Sequence, residues 1–212
     1  MNKVLNYFDG AFYINLDKRT ERRESFETRT KNFGFLIERF SGIKLDDVDP
    51  RYCCTLSHIE VIKEAKKRGW KNCLIFEDDC KFSKNFLKTL ESCVDFLRNN
   101  EWDLFYMGGA IQSNSKIVND HIAECGGMYG THAYAINERF YDRMIQLDFK
   151  SGVIDMVYIH TSDRKYFMTV EPIALQDSSF QSDLWWGAFV QRDKECLDSY
   201  KKYLNKEYLK FE

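Results

Sequence analysis

Proline is almost absent from this chain, with two residues in 212 beside eleven glycines. That leaves little material for a flexible linker. No apolar run approaches the roughly 20 residues that a membrane helix needs, so no span is expected. An excess of one charge is missing too. Thirty-one Lys and Arg face 33 Asp and Glu, a formal net charge of −2, which gives no general reason to expect nucleic acid or an anionic membrane as partner. Met1 to Asp9 holds one lysine and no apolar core of a leader, so no signal peptide is expected. None of the seven cysteines has the CxxC spacing of a zinc site. Without a leader, free buried thiols and a reducing, cytoplasmic compartment are the expectation. What is present is an ordinary globular balance, 44% hydrophobic and 30% charged, enough for one large core.

Along the chain, hydrophobic pattern and turn residues predict alternating strands and helices. Ala11 to Leu16 reads as a buried strand, Lys18 to Asn32 as a helix with a basic start, and Phe35 to Ile43 as a second strand. Asp46 to Tyr52, with Pro50, reads as a loop. Ser57-His58-Ile59-Glu60 fits a capping box, which predicts a helix from Ser57 to a stop at Gly69. A strand then runs into Glu77-Asp78-Asp79. Ser83 is expected to cap a helix carrying Phe86, Leu87, Leu90, Val94 and Leu97 at helical spacing. Further strands are predicted over Asp103–Met107, Thr131–Ile136 and Tyr166–Val170. Further helices are predicted over Glu138–Leu147 and Val190–Phe211. The alternation in the first half argues for an α/β fold with a mostly parallel central sheet and helices on both faces. Ligands of such sheets bind beyond the carboxyl ends of the strands. Asn15 to Asp17, the acids at 77–79 and Gly108-Gly109 all fall there.

The acids are the most informative of these clusters. Cys73-Leu74-Ile75-Phe76 reads as a buried strand, and carboxylates at its end are costly unless something positive binds them. On an extended chain Glu77 and Asp79 share a face while Asp78 points away, and Asp78 can take part if the strand ends before it. That pair of hard oxygens suits Mg²⁺ or Mn²⁺ carrying a phosphate. The plainer reading is a solvated strand exit.

Six short motifs occur in an order that resembles glycosyltransferase family 25, whose members include bacterial lipooligosaccharide galactosyltransferases and collagen hydroxylysine galactosyltransferases. They are Tyr13-Ile14-Asn15-Leu16-Asp17 with Arg19 and Arg22-Arg23; Cys54-Thr55-Leu56-Ser57-His58; Phe76-Glu77-Asp78-Asp79; Trp102-Asp103-Leu104-Phe105-Tyr106 with Gly108; Gly130-Thr131-His132-Ala133-Tyr134; and Gln176 with Ser182-Asp183. Cys53 stands where the family usually has glycine. The segment at Gly152-Val153-Ile154-Asp155 lacks the proline that often precedes the family's aspartate.

The resemblance implies a GT-A-like, Rossmann-like sandwich, a UDP-sugar donor, a divalent cation (Mn²⁺ or Mg²⁺) and transfer with inversion. It implies a single glycosyltransferase domain over 1–212. Residues 11–110 would form the nucleotide-sugar half, 111–184 the acceptor and catalytic half, and 185–212 a helical tail. Asp79 with Glu77 is expected to hold the metal. Asn15, Arg19, Arg22, His58, Glu77 and Asp78 are expected around the sugar nucleotide. The arginines suit paired hydrogen bonds to diphosphate, although a charged helix start facing water would look the same. An inverting enzyme needs a base, and Asp155 or Asp183 is expected to serve. Trp185-Trp186 is placed near the acceptor, a glycan or hydroxylysine. By family habit the donor is UDP-galactose rather than UDP-glucose. The rivals are a nucleotidyltransferase or phosphohydrolase using the same carboxylates, and a sugar-nucleotide-binding domain without turnover.

Overall fold

The computed structural model describes residues 4, 6–146, 153–181, 183–184 and 192–204. The elements begin with β1 (Gly10–Asn15), α1 (Thr20–Thr30), β2 (Glu38–Ser41) and α2 (Pro50–Lys67). There follow β3 (Asn72–Glu77), β4 (Cys80–Phe82), α3 (Phe86–Asn99), β5 (Leu104–Tyr106), β6 (Ala110–Ile111), β7 (Lys116–Ile117) and β8 (Ile122–Glu124). The chain continues through β9 (Met128–Tyr129), β10 (Ala133–Asn137), α4 (Glu138–Gln146) and α5 (Ile154–His160). It closes with β11 (Tyr166–Thr169), β12 (Ala174–Gln176) and α6 (Arg192–Leu204).

Eight of these strands form one sheet in the order β2-β1-β3-β10-β5-β11-β8-β7. β1 is parallel to β2 and to β3, and β11 is parallel to β5. β10 runs against both β3 and β5, and β8 against both β11 and β7. Six of the eight strands therefore point one way, with β10 and β8 opposed. The alternating sequence anticipates the parallel majority. Nothing in its pattern signals that a strand from the second half inserts between β3 and β5.

The period-two rule decides the core. Along β3, Cys73 and Ile75 belong to one apolar cluster while Leu74 and Phe76 belong to the other. Along β10, Tyr134 and Ile136 join the first cluster, Ala133 and Ala135 the second. The first cluster also takes Ile59 and Ile62 of α2, Met144 of α4, Tyr158 of α5 and Tyr200 of α6. The second takes Phe26 of α1 and Leu90 and Val94 of α3. Helices thus cover both faces of a buried sheet, an α/β sandwich of three layers.

Two helix starts differ from expectation. α2 begins at Pro50, not at Ser57, so part of the predicted loop is helical. Asp49 accepts the Arg51 amide at 2.8 Å, and proline fixes the first helical φ. Together they are a stronger start than a capping box. Ser57 lies inside the helix, where its Oγ donates back to the Cys53 carbonyl at 2.8 Å and accepts the Ile43 amide at 2.8 Å. α3 begins after Asn85, and Ser83 contributes its carbonyl to the Phe86 amide rather than a side-chain cap. The expected tail helix is described as Arg192–Leu204. Val190 and the positions beyond 204 lie outside the described residues.

One close approach carries a distant segment to the acids. Met107 accepts the amides of Ile173 and Ala174 at 2.8 and 3.0 Å, so β12 crosses the end of β5. A Cβ on Gly108 would stand 1.8 Å from the Ala174 carbonyl oxygen. Gly108→Ala is therefore expected to cost about 1–3 kcal/mol or more through overpacking. Gly127→Ala, whose nearest neighbour would be 3.4 Å away, should be close to neutral. Urea unfolding of both variants measures the difference, and equal midpoints would refute the close-approach account.

Candidate active site

β3 delivers Glu77 at its last position, and the chain then turns through Asp78 and Asp79 into β4. Strand alternation stops at Glu77. The expectation that Asp78 points away from Asp79 is corrected accordingly, because both meet the same guanidinium. Arg22 Nη1 stands 3.0 Å from Asp78 Oδ1 and 3.5 Å from Asp79 Oδ2. Its Nη2 donates to the Gln181 carbonyl at 2.7 Å, and its guanidinium lies 5.4 Å from the Phe180 ring centre. Arg22 is a buried residue, held where α1 follows β1. Asn15 closes the other side: its Nδ2 donates to Asp78 Oδ2 at 2.7 Å and to the Arg19 carbonyl at 3.0 Å. Its Oδ1 accepts from Arg39 Nε at 2.9 Å. Both oxygens of Asp78 are thus engaged, and Asn15 ties the turn together.

Glu77 faces a different set. Thr131 Oγ1 donates to its Oε1 at 2.9 Å, and His58 Nε2 stands 3.4 Å from the same oxygen. His58 is fully buried in α2 rather than at a helix start. Its Nδ1 lies 3.1 Å from the Tyr134 hydroxyl, which accepts from the Tyr158 hydroxyl at 3.3 Å. Burial alone would raise the Glu77 pKa, but His58, His132 and Thr131 hold it below the usual carboxylate range.

Asp79 is the carboxylate left needing charge. Its Oδ2 accepts from Gln176 Nε2 at 3.3 Å, while its Oδ1 is buried and accepts no hydrogen bond. Burial first, and the Glu77 charge second, push its pKa up to about 8 against the pull of Arg22. A buried acid with an unbonded oxygen, beside a second acid held ionised, fits a hard divalent cation.

The second arginine of the motif is occupied elsewhere. Arg19 grips Asp183 with both arms of its fork, Nε to Oδ2 at 2.8 Å and Nη2 to Oδ1 at 2.9 Å. Lys18 Nζ adds a contact at 3.0 Å. Burial would raise the Asp183 pKa, but Arg19 and Lys18 bring it below its usual value. A carboxylate so held is a poor proton acceptor. Asp155 sits in the first turn of α5, where its Oδ2 accepts the Gly130 amide at 3.1 Å. That places it one residue from Thr131, the partner of Glu77. Ser182, Trp185 and Trp186 lie outside the described residues.

A cleft of about 150 Å³ opens over this edge of the sheet. Arg22, His58, Glu77, Asp78, Asp79 and Asp183 line it; Asn15, Arg19 and Asp155 do not. Sequence reasoning missed the parts played by Thr131 and Gln176, though both stand in the quoted motifs. It also missed Tyr134, which stands in a quoted motif as well, and Tyr158, which does not; the Tyr134 hydroxyl meets His58 in the core and accepts from Tyr158.

Residues 49–151 match the family model described as Glycosyltransferase family 25 (LPS biosynthesis protein). The chain is 27% identical over 162 residues to the probable inactive glycosyltransferase 25 family member 3 of Bos taurus, covering 61% of this chain and 27% of that protein. It is 29% identical over 129 residues to procollagen galactosyltransferase 1-A of Xenopus laevis, covering 48% and 21% respectively. The matches span about a quarter of the length of these relatives. A solved glycosyltransferase involved in the glycosylation of the major capsid of PBCV-1 aligns with a TM-score of 0.45 at 12% identity, over 64% of this chain and 62% of that one. The resemblance read from the ordered motifs holds.

The geometry makes two predictions. Removing Arg22 leaves buried carboxylates without their counter-charge, so Arg22→Gln is expected to cost about 3–5 kcal/mol. A loss below 1 kcal/mol by urea titration would return Arg22 to the surface reading. For Asp79, the folded chain holds an extra proton between the ordinary value of 3.8 and about 8. Stability of the chelator-treated protein should therefore fall as pH rises through that window. Thermal melts from pH 5 to 9 should show the fall, and Asp79→Asn should flatten it. An equal fall in the variant would refute the assignment.

Proposed function

Taking the chain as a glycosyltransferase family 25 sequence, we propose that it moves a hexose, galactose in preference to glucose, from a UDP-sugar to a hydroxyl of a glycan or hydroxylysine acceptor. The observation that carries this reading is the carboxylate group at the end of β3, facing a cleft, with one buried Asp79 oxygen lacking a hydrogen bond. Asp79 with Glu77 would hold Mn²⁺ or Mg²⁺, whose charge would offset that growing on the departing diphosphate.

The other residues divide the remaining work. Asn15 and Asp78 hold the turn in shape, and Arg22 keeps a fixed positive charge beneath it. Arg19 and Lys18 supply mobile positive charge at the rim for the diphosphate, which must compete with Asp183 for the Arg19 fork. His58, backed by Tyr134 and Tyr158, orients Glu77. Asp155 takes the proton from the incoming acceptor hydroxyl, so that the oxygen can attack the anomeric carbon from the face opposite the leaving group. Asp155 is assigned this role because it stands one residue from Thr131, the partner of Glu77, while the Arg19 fork already holds Asp183. Inversion follows from that single displacement.

A second reading is a domain that binds sugar nucleotide without turnover. It is favoured by the Arg22 contact that already offsets part of the acidic charge, and by the inactive label of the bovine relative. One experiment separates the two. UDP binding with Mn²⁺ is measured by calorimetry, and UDP release from UDP-galactose is followed with and without acceptor. Turnover that chelator abolishes supports the enzyme; binding without release supports the second reading. Within the enzyme reading, Asp155→Asn is expected to keep UDP and Mn²⁺ affinity while transfer drops by about 10²–10⁴-fold. Normal transfer in that variant, with failure in Asp183→Asn, would give the base to Asp183.

A further inference from the structure

Of the seven cysteines, Cys54 is the one that is not fully buried, and it lines the cleft. It precedes His58 by one helical turn on α2, so both project from the same face toward the end of β3. Cys54 Sγ, a His58 ring nitrogen and a Glu77 oxygen all lie within 4.8 Å of one another. His58 Nε2 and Glu77 Oε1 are 3.4 Å apart. A tetrahedral zinc ion with bonds of about 2.0–2.3 Å sets its ligands about 3.3–3.6 Å apart. The nitrogen and oxygen already stand at that spacing, and the thiol lies within 4.8 Å of both.

The supporting residues also suit a metal ligand. A coordinating histidine commonly uses one nitrogen for the metal and anchors the other. Here Nδ1 is anchored by the Tyr134 hydroxyl, itself braced by Tyr158. The buried Nε2 makes no well-formed hydrogen bond and is aimed at Glu77. Thr131 fixes the Glu77 carboxylate.

We propose that Cys54, His58 and Glu77 form a second cation site, selective for a thiophilic divalent ion of the zinc class and distinct from the hard-cation position at Asp79. Binding replaces the Cys54 S–H bond by a metal–sulfur bond and releases that proton to solvent. His58 contributes its Nε2 lone pair in the tautomer protonated on Nδ1, and Glu77 contributes a carboxylate oxygen. Thiolate and carboxylate together neutralise the ion, and a water molecule completes four ligands. The sulfur makes the discrimination, since Mg²⁺ and Mn²⁺ prefer oxygen sets. Glu77 belongs to both positions, so filling this one draws it away from the other. Zinc is then an inhibitor acting from within the cleft.

The test uses the whole chain, stripped of metal and without any sugar nucleotide, so it is independent of the donor assignment. Co²⁺ is titrated as the probe, and the thiolate-to-cobalt charge-transfer band in the near ultraviolet is recorded. One equivalent of Co²⁺ should raise the band and one equivalent of Zn²⁺ should remove it. The band should be absent from Cys54→Ala and Cys54→Ser, with far-ultraviolet circular dichroism unchanged, and present in Asp79→Asn. Absence of the band in the wild type, its persistence in both Cys54 variants, or its loss in Asp79→Asn would each overturn the site.

Discussion

Three carboxylates at the end of one buried strand repel one another in a medium that screens little. Everything at this edge of the sheet is arranged around that repulsion. Arg22 answers Asp78 and part of Asp79 from below, His58 and Thr131 answer Glu77 from the side, and one Asp79 oxygen remains without a partner. The desolvation cost of such a cluster is met only where the neighbours are fixed in place. This explains why α1 is anchored through Arg22 to the turn after β3, and why Asn15 has every polar atom committed. The positive charge built into the fold falls short of the negative charge it faces. That shortfall makes the edge receptive to an external cation.

The same arrangement separates two kinds of arginine that the sequence presents as one motif. Arg22 is buried and belongs to the folded core, while Arg19 and Lys18 stand at the rim with Asp183 between them. A buried guanidinium with four close partners cannot swing out to meet a ligand without leaving acids exposed to each other. A rim guanidinium can exchange one carboxylate for a phosphate at little cost, because both are bidentate acceptors. Placement, not residue type, sets which arginine is structural.

Much of the layering was legible in the sequence because it rests on local periodicity. Alternation along Cys73–Phe76 tells which residues face which layer, and the helical spacing of Leu90, Val94 and Leu97 marks the face of α3. The strand-end position of Asn15 and of the acids was legible for the same reason. What escaped depends on contacts between distant segments. No local pattern announces that β10 runs antiparallel between β3 and β5, that His58 lies deep in a helix begun by Pro50, or that Arg19 meets Asp183. The turn at Asp78 was legible only as an alternative, because strand alternation holds only while the backbone stays extended. The six ordered motifs carried further than the pattern did, since Thr131 and Gln176 sit in them and both reach the acids.

The insertion of β10 also has a kinetic side. β3 is held on one flank by β1, which leaves the ribosome before it, and on the other by β10, which leaves the ribosome after it. Until β10 arrives, β3 is an open edge of apolar residues ending in three acids. Long-range pairing of this kind slows folding, because loop closure must come before the contacts that reward it. An unpaired edge is also a template for joining another chain. The like charges at its tip repel a second copy laid alongside in register. The residues that make the finished protein receptive to a cation would thus also discourage nascent chains from pairing with one another before the sheet is complete.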